Sequence, residues 1–238
     1  MSDASGRNVE MLYDLLLPND LGVIVNLHWD EQPILRGLRD RHADLVSFRL
    51  EDHVFSGGAG NGREGRKRRG FGTGELPLPA GSAGCIVLHH ILDAPPVAGL
   101  SRAACRRELM RLCKRILAPG GVLAISCRNR WSVERLRGFL SAQPPLFPPG
   151  MFRSGLSLWG CRRLLHRAGF KVSEAFAIVP SLESPAAIVS TRREAAQAFY
   201  GRGVPQTPHW TVLLVRLLNA LNVRSYLEPT FVVLARHD

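Results

Sequence analysis

The chain has few cysteines, few aromatic residues and no long apolar run. Its five cysteines, Cys85, Cys105, Cys113, Cys127 and Cys161, are odd in number and form no CxxC pair. That pattern gives neither a disulfide framework nor a zinc site, and most of the five are expected to be small buried apolar residues. Residues Met1 to Glu10 are polar and hold no apolar core of the kind a signal peptide needs, so a reducing cytoplasm is the expected compartment. The most apolar late stretch, Trp210 to Val223, is interrupted by Arg216 and Asn219 and is shorter than the ~20 residues that span a bilayer. It is expected to pack as a helix, in the core or at a contact between subunits of a homo- or hetero-oligomer.

Acidic residues are also scarce. Asp and Glu number 20 against 31 Lys and Arg, a net charge of +11, which favours anionic partners and carries no information about fold. With 238 residues, 45% of them hydrophobic, the chain is too long and too apolar to be fibrous or wholly disordered. A single domain over residues 1–238 is expected.

Along the chain, Ser5 is placed to cap a first helix carrying Val9, Leu12 and Leu16, ended by Pro18-Asn19-Asp20. Leu21 to Trp29 predicts a strand, Gln32 to Arg41 a helix and Asp44 to Leu50 a second strand. Residues 56–74 are Gly-rich and basic with almost nothing apolar to bury, which predicts a mobile loop. Cys85 to Leu88 predicts a buried strand, and Ser101 to Leu117 a helix closed by Pro119-Gly120-Gly121. Val122 to Cys127 follows as a strand, then a helix over Ser132 to Leu140 and an extended connection at Gln143 to Gly150. Ser157 to Ala168 predicts a helix with Gly169 just past its end, and Lys171 to Val179 and Thr230 to Ala235 predict late strands. A small capping or packing segment fills residues 180–226. Strands alternating with helices predict a mostly parallel sheet covered on both faces.

Four stretches then carry a resemblance to a known family. ELPLPAGSAGCIVLHHIL, ELMRLCKRILAPGGVLAISCRNR, GLSLWGCRRLLHRAGFKV and SYLEPTFVVLARHD occur in this order from Glu75 to the end. They resemble the fourth strand, the helix and proline-glycine-glycine turn before the fifth strand, the entry to the sixth strand, and the last strand of class I S-adenosylmethionine-dependent methyltransferases. The resemblance implies an α/β, Rossmann-like sheet with S-adenosylmethionine as cofactor, and methyl transfer to a small-molecule acceptor. Placing IVNLHWD on the family's glycine-rich cofactor loop puts Asn26 at the acidic position, with His28 and Asp30 where the first two glycines stand. No glycine remains there, and the added side chains occupy space that glycines leave to the ligand. A second function therefore stands beside the first: a methyltransferase-like protein without catalysis, serving as a binding or scaffolding subunit of a partner enzyme. The resemblance also places Leu88 at the cofactor-facing end of the fourth strand. Glu51 and Asp52 are its candidates for the carboxylate that accepts the ribose hydroxyls.

At the strand ends, His89 and His90 are candidate bases for deprotonating an acceptor, with Asp93 lining the acceptor pocket. Packing of these histidines in the turn is the alternative. Two adjacent histidines with no third ligand at usable spacing predict no metal site. Arg128, Asn129 and Arg130 follow the fifth strand, where the two arginines suit an anionic acceptor; a solvated turn is the competing reading. The run Arg63 to Arg69 holds five positive charges and one negative, with no interleaved aromatic. A solvated loop fits that composition better than a nucleic-acid contact.

Overall fold

The computed structural model describes residues 9, 11–18, 21–28, 45–50, 78–93, 101–132, 155–180, 185–201 and 226–238. In chain order, β1 (Ile24–His28) and β2 (Leu45–Arg49) precede β3 (Ala83–His89) and a 3-10 turn at Ile91–Asp93. Then come α1 (Arg102–Ile116), β4 (Leu117–Arg128), α2 (Leu158–Arg167), β5 (Phe170–Pro180), β6 (Pro185–Ser190), α3 (Arg193–Gly201) and β7 (Thr230–His237). Residues 11–16 are helical as well.

All seven strands join one sheet in the order β2-β1-β3-β4-β7-β5-β6. Strands β1 to β5 share a direction, whereas β7 and β6 run against them. The sheet is thus more mixed than the mostly parallel one expected, because β7 is inserted antiparallel between β4 and β5 and β6 pairs antiparallel with β5. The strand β6 and helix α3 arise from a stretch that the sequence pattern assigns only to a capping segment. Short and bordered by Ser184 and Thr191, PAAIVS extends the sheet by one edge strand.

Alternation along the strands sorts the core into two layers. Val25 and Leu27 of β1, Ile86 and Leu88 of β3, and Leu123 and Ile125 of β4 meet the buried face of α1, from Leu109 to Ile116, together with Leu158 and Leu165 of α2. Ile24, Cys85, Val87, Val122 and Ala124 face the other way, against Val9, Leu12, Tyr13 and Leu17 of the N-terminal segment. Each Leu or Ile removed from water in these layers contributes roughly 1.5–3 kcal/mol. The N-caps of α1 and α2 are Ser101 and Ser157, whose hydroxyls accept from Ala104 N at 3.2 Å and Gly160 N at 3.0 Å. Gly169 ends α2 at φ +81°, a left-handed conformation suited to glycine.

The Pro-Gly-Gly turn expected before the fifth strand lies inside β4. Pairing with β3 passes from Ala83↔Leu117 directly to Cys85↔Val122, so Ala118 to Gly121 loop out of the ladder. On β3, Gly84 is required by close approach, since a Cβ there would collide with the Leu21 carbonyl. Ser5, Gln32 to Arg41, residues 56–74, Gln143 to Gly150 and Trp210 to Val223, for which the sequence predicts a cap, helices, a loop and an extended connection, lie outside the described residues, as does the helix expected over Ser132 to Leu140 beyond Ser132 itself.

Candidate active site

The strand order reverses at β1, which has β2 on one side and β3 on the other. In open α/β sheets ligands bind beyond the C-terminal strand ends at such a point. Here those ends carry a row of polar residues. His28 is in register with Arg49 of β2, and His89 of β3 is in register with Ser126 of β4. One layer deeper, Asn26 pairs with Val87. Asn26, His28, His89 and Ser126 all alternate onto the face covered by the N-terminal segment.

His89 is the best held of these side chains. Its Nδ1 lies 3.1 Å from Ser126 Oγ and 3.5 Å from the Tyr13 hydroxyl, and the Tyr13 ring meets the imidazole edge-on. Tyr13 and Ser126 are buried and His89 is half-buried, so the Nδ1 side of the network is shielded from water. Burial, the neighbouring His90 and the Arg128 guanidinium, in that order, hold the His89 imidazole well below its ordinary pKa. It is therefore neutral at physiological pH. In the tautomer with its hydrogen on Nδ1, Nε2 carries a lone pair open to a ligand. Burial likewise pushes the Tyr13 hydroxyl far up, so it stays protonated.

His90 has a different setting. Its backbone is left-handed at φ +53°, unusual for a residue with a side chain. Its N–H donates to the Ser126 carbonyl at 3.1 Å and to Ser126 Oγ at 3.2 Å. Its Nδ1 lies 3.1 Å from Asp93 Oδ2, which also accepts from Arg128 N at 2.7 Å. Asp93 thus ties the turn after β3 to the end of β4. The turn is further fixed by Arg106 of α1, whose Nε and Nη2 donate to the Leu92 carbonyl at 3.1 and 2.8 Å. The sequence places His89 and His90 together, and the fold divides their tasks.

Asn129 spends its side chain on backbone: Nδ2 donates to the carbonyls of Tyr226 and Glu228, and Oδ1 accepts from Trp131 N at 3.0 Å. Those bonds fasten the approach to β7 to the end of β4. Arg128 is half-buried, Arg130 is exposed, and Leu88 is fully buried with its side chain in the core layer beneath α1. Asp30, Glu51 and Asp52 lie outside the described residues.

Tyr13 and Ser126 escape a motif-based search. The one visible signal for Ser126 is a hydroxyl on the inward face of an otherwise apolar strand. Tyr13 looks like one more apolar position of an amphipathic helix.

A group of the S-adenosylmethionine type can be tested against Asn26. Its Oδ1 is buried and has no hydrogen-bond partner among the described residues, an acceptor that a ligand donor would satisfy. The ammonium and amino groups of that cofactor are donors of the required kind, so the position fits despite the missing glycines.

No family model matches the chain, and no curated protein matches it. Solved structures do resemble it. A methyltransferase dependent on S-adenosylmethionine from Archaeoglobus fulgidus is 13% identical, covering 97% of this chain and 94% of that one at a TM-score of 0.51. One from Methanosarcina mazei is 12% identical, covering 94% and 96% at 0.49. A possible histamine N-methyltransferase from Thermotoga maritima is 11% identical, covering 99% and 88% at 0.48. The fold is that of the class I S-adenosylmethionine-dependent methyltransferases.

Proposed function

We propose that the protein transfers a methyl group from S-adenosylmethionine to a small-molecule acceptor, with His89 as the base. The observation that carries this is the His89 imidazole, kept neutral at the switch point with Nδ1 turned to Ser126 and Tyr13. When bound, S-adenosylmethionine supplies an electrophilic methyl group. Asn26 Oδ1 would accept a hydrogen bond from it, and Asp30, Glu51 and Asp52 are the further candidates to hold it. His89 Nε2 takes the proton that an acceptor hydroxyl or amine must lose, while Ser126 orients the ring through Nδ1. Arg128, beside His89, and Arg130 favour an acceptor bearing negative charge. Asp93 positions the turn that carries both histidines.

Calorimetry with S-adenosylmethionine and S-adenosylhomocysteine at millimolar concentration tests the reading. Heat of binding to the protein, with turnover lost in His89→Ala, is the expected result; no heat from either compound overturns it. The second reading, a binding or scaffolding subunit without catalysis, is favoured by His28 and the absence of any glycine from residues 24–30. It predicts a correctly folded protein that binds neither compound.

A further inference from the structure

A second concave surface lies away from the strand ends of β1 and β3, on the other side of the sheet's order. A groove of about 880 Å³ runs between α2 and the first half of β5, with Thr191 and Arg192 at its edge. The volume is in the range of small-molecule sites. Pairing of β6 with β5 begins only at Phe176, so β5 from Phe170 to Ala175 has no strand on that side among the described residues. By strand order, β5 stands three positions from β3, about 14 Å at ~4.8 Å per strand.

The groove is cationic. Arg162, Arg163, Lys171 and Arg192 line it with His166, and Glu174 is the one carboxylate among the described lining residues. Glu174 is already taken by Arg192 at 2.6 Å. Arg162 is the telling member. Its Nη1 and Nη2 donate to the Tyr226 hydroxyl at 2.9 Å and to Thr191 Oγ1 at 3.0 Å, while its buried Nε has no partner among the described residues. A guanidinium held by two neutral hydroxyls, with no carboxylate on it among the described residues, is a positive charge lacking its counter-ion. Lys171, exposed on β5, lines the same groove.

An aromatic surface completes the groove. Trp159 is 63% exposed, and the Arg163 guanidinium stands 5.2 Å from its ring centroid, covering one face and bracing the indole. An indole left open beside a set of cations suits a ligand with a planar ring and a negative charge.

We propose that this groove is a second ligand site, separate from the strand-end site, that takes a nucleotide: phosphate against Arg162 and Lys171, base against Trp159. Arginine and lysine bind phosphate by charge-assisted hydrogen bonds, and stacking on tryptophan tolerates any base.

Adenosine monophosphate is the probe, with inorganic phosphate and adenosine as controls, measured by calorimetry on the full chain at low and moderate salt. The nucleotide is expected to bind more tightly than either control and to weaken as salt rises. Trp159→Ala and Lys171→Gln alter exposed side chains, so each variant should keep its melting temperature. Each should weaken nucleotide binding by about tenfold, the scale of one lost stacking or phosphate contact. Three results overturn the proposal: no binding at millimolar nucleotide, affinity no better than that of inorganic phosphate or adenosine, or affinity unchanged in both variants. The last would put the nucleotide at another site, including the strand-end site.

Discussion

Ser126 Oγ sits 3.1 Å from His89 Nδ1, joining the ends of two adjacent parallel strands through a buried polar contact. The same hydroxyl receives the His90 N–H at 3.2 Å, so one serine organises both histidines of the turn. That relationship orders the expectations for activity. If His89 is the base, His89→Ala should lower the turnover number by about 10²- to 10⁴-fold, the span of general-base contributions. Ser126→Ala should retain the base but lose the contact that orients its ring, giving a smaller loss and a displaced pH profile. Single-turnover rates across pH for both variants provide the check. Equal rates in wild type and His89→Ala would remove His89 from the chemistry.

The depressed pKa of His89 also has a thermodynamic signature. A histidine whose folded pKa lies below its unfolded value of about 6.5 binds fewer protons when folded. Its contribution is nil at pH well above 6.5 and becomes destabilising as pH falls through that value. The unfolding free energy should therefore decline below pH ~6.5, and His89→Gln should flatten that decline. Urea titrations between pH 5 and pH 8 measure it; an unchanged slope in the variant would assign the decline to other groups.

Much of the frame was legible in advance, for identifiable reasons. The helices that the sequence starts at Ser101 and Ser157 begin there in the structure, with those serines as caps, and the apolar stripe from Leu109 to Ile116 faces the sheet as its spacing requires. Local chemistry decides both. The antiparallel insertion of β7 was not readable, since a strand's apolar pattern does not report its direction or its neighbours. The site was legible only as a place. His89 and His90 are adjacent letters, and nothing in them says that one faces Tyr13 and the other Asp93. Asn129 reads as a ligand-facing residue after a strand, yet it holds the Tyr226 and Glu228 carbonyls, a partnership across almost a hundred residues of chain that local pattern cannot encode.

His90 and Asp93 give a prediction about strain. At φ +53° a β-carbon is unfavourable, by roughly 1 kcal/mol against glycine. His90→Gly should thus be more stable than His90→Ala by about that amount, since both lack the contact to Asp93. Asp93→Ala should cost more, about 2–3 kcal/mol, because Arg128 N–H and the His90 ring lose their acceptor together. Chemical denaturation of the three variants decides the order.

The thiols offer a test of the core itself. Cys85, Cys113, Cys127 and Cys161 are buried, and Cys105 is half-buried. Burial drives the thiols of Cys85, Cys113 and Cys127 far up, away from the reactive thiolate. A thiol reagent should label one cysteine rapidly in the native protein, and mass spectrometry should find it at Cys105. All five should react once the chain is unfolded, and Cys105→Ser should abolish the fast phase.

Asn26 separates the two functional readings most sharply. A buried acceptor without a partner costs on the order of 1–3 kcal/mol, a cost that an apolar residue of similar volume removes. Asn26→Leu should therefore raise the melting temperature of the ligand-free protein. If the amide serves S-adenosylmethionine, the same substitution should abolish the stabilisation that added cofactor gives to the wild type, since a ligand stabilises only what it binds. Thermal melts of both proteins with and without the cofactor give four temperatures. A gain in the free variant with loss of the cofactor shift indicates an acceptor retained for a ligand. A gain with no cofactor shift in either protein indicates a site that no longer takes one, and favours the scaffolding subunit.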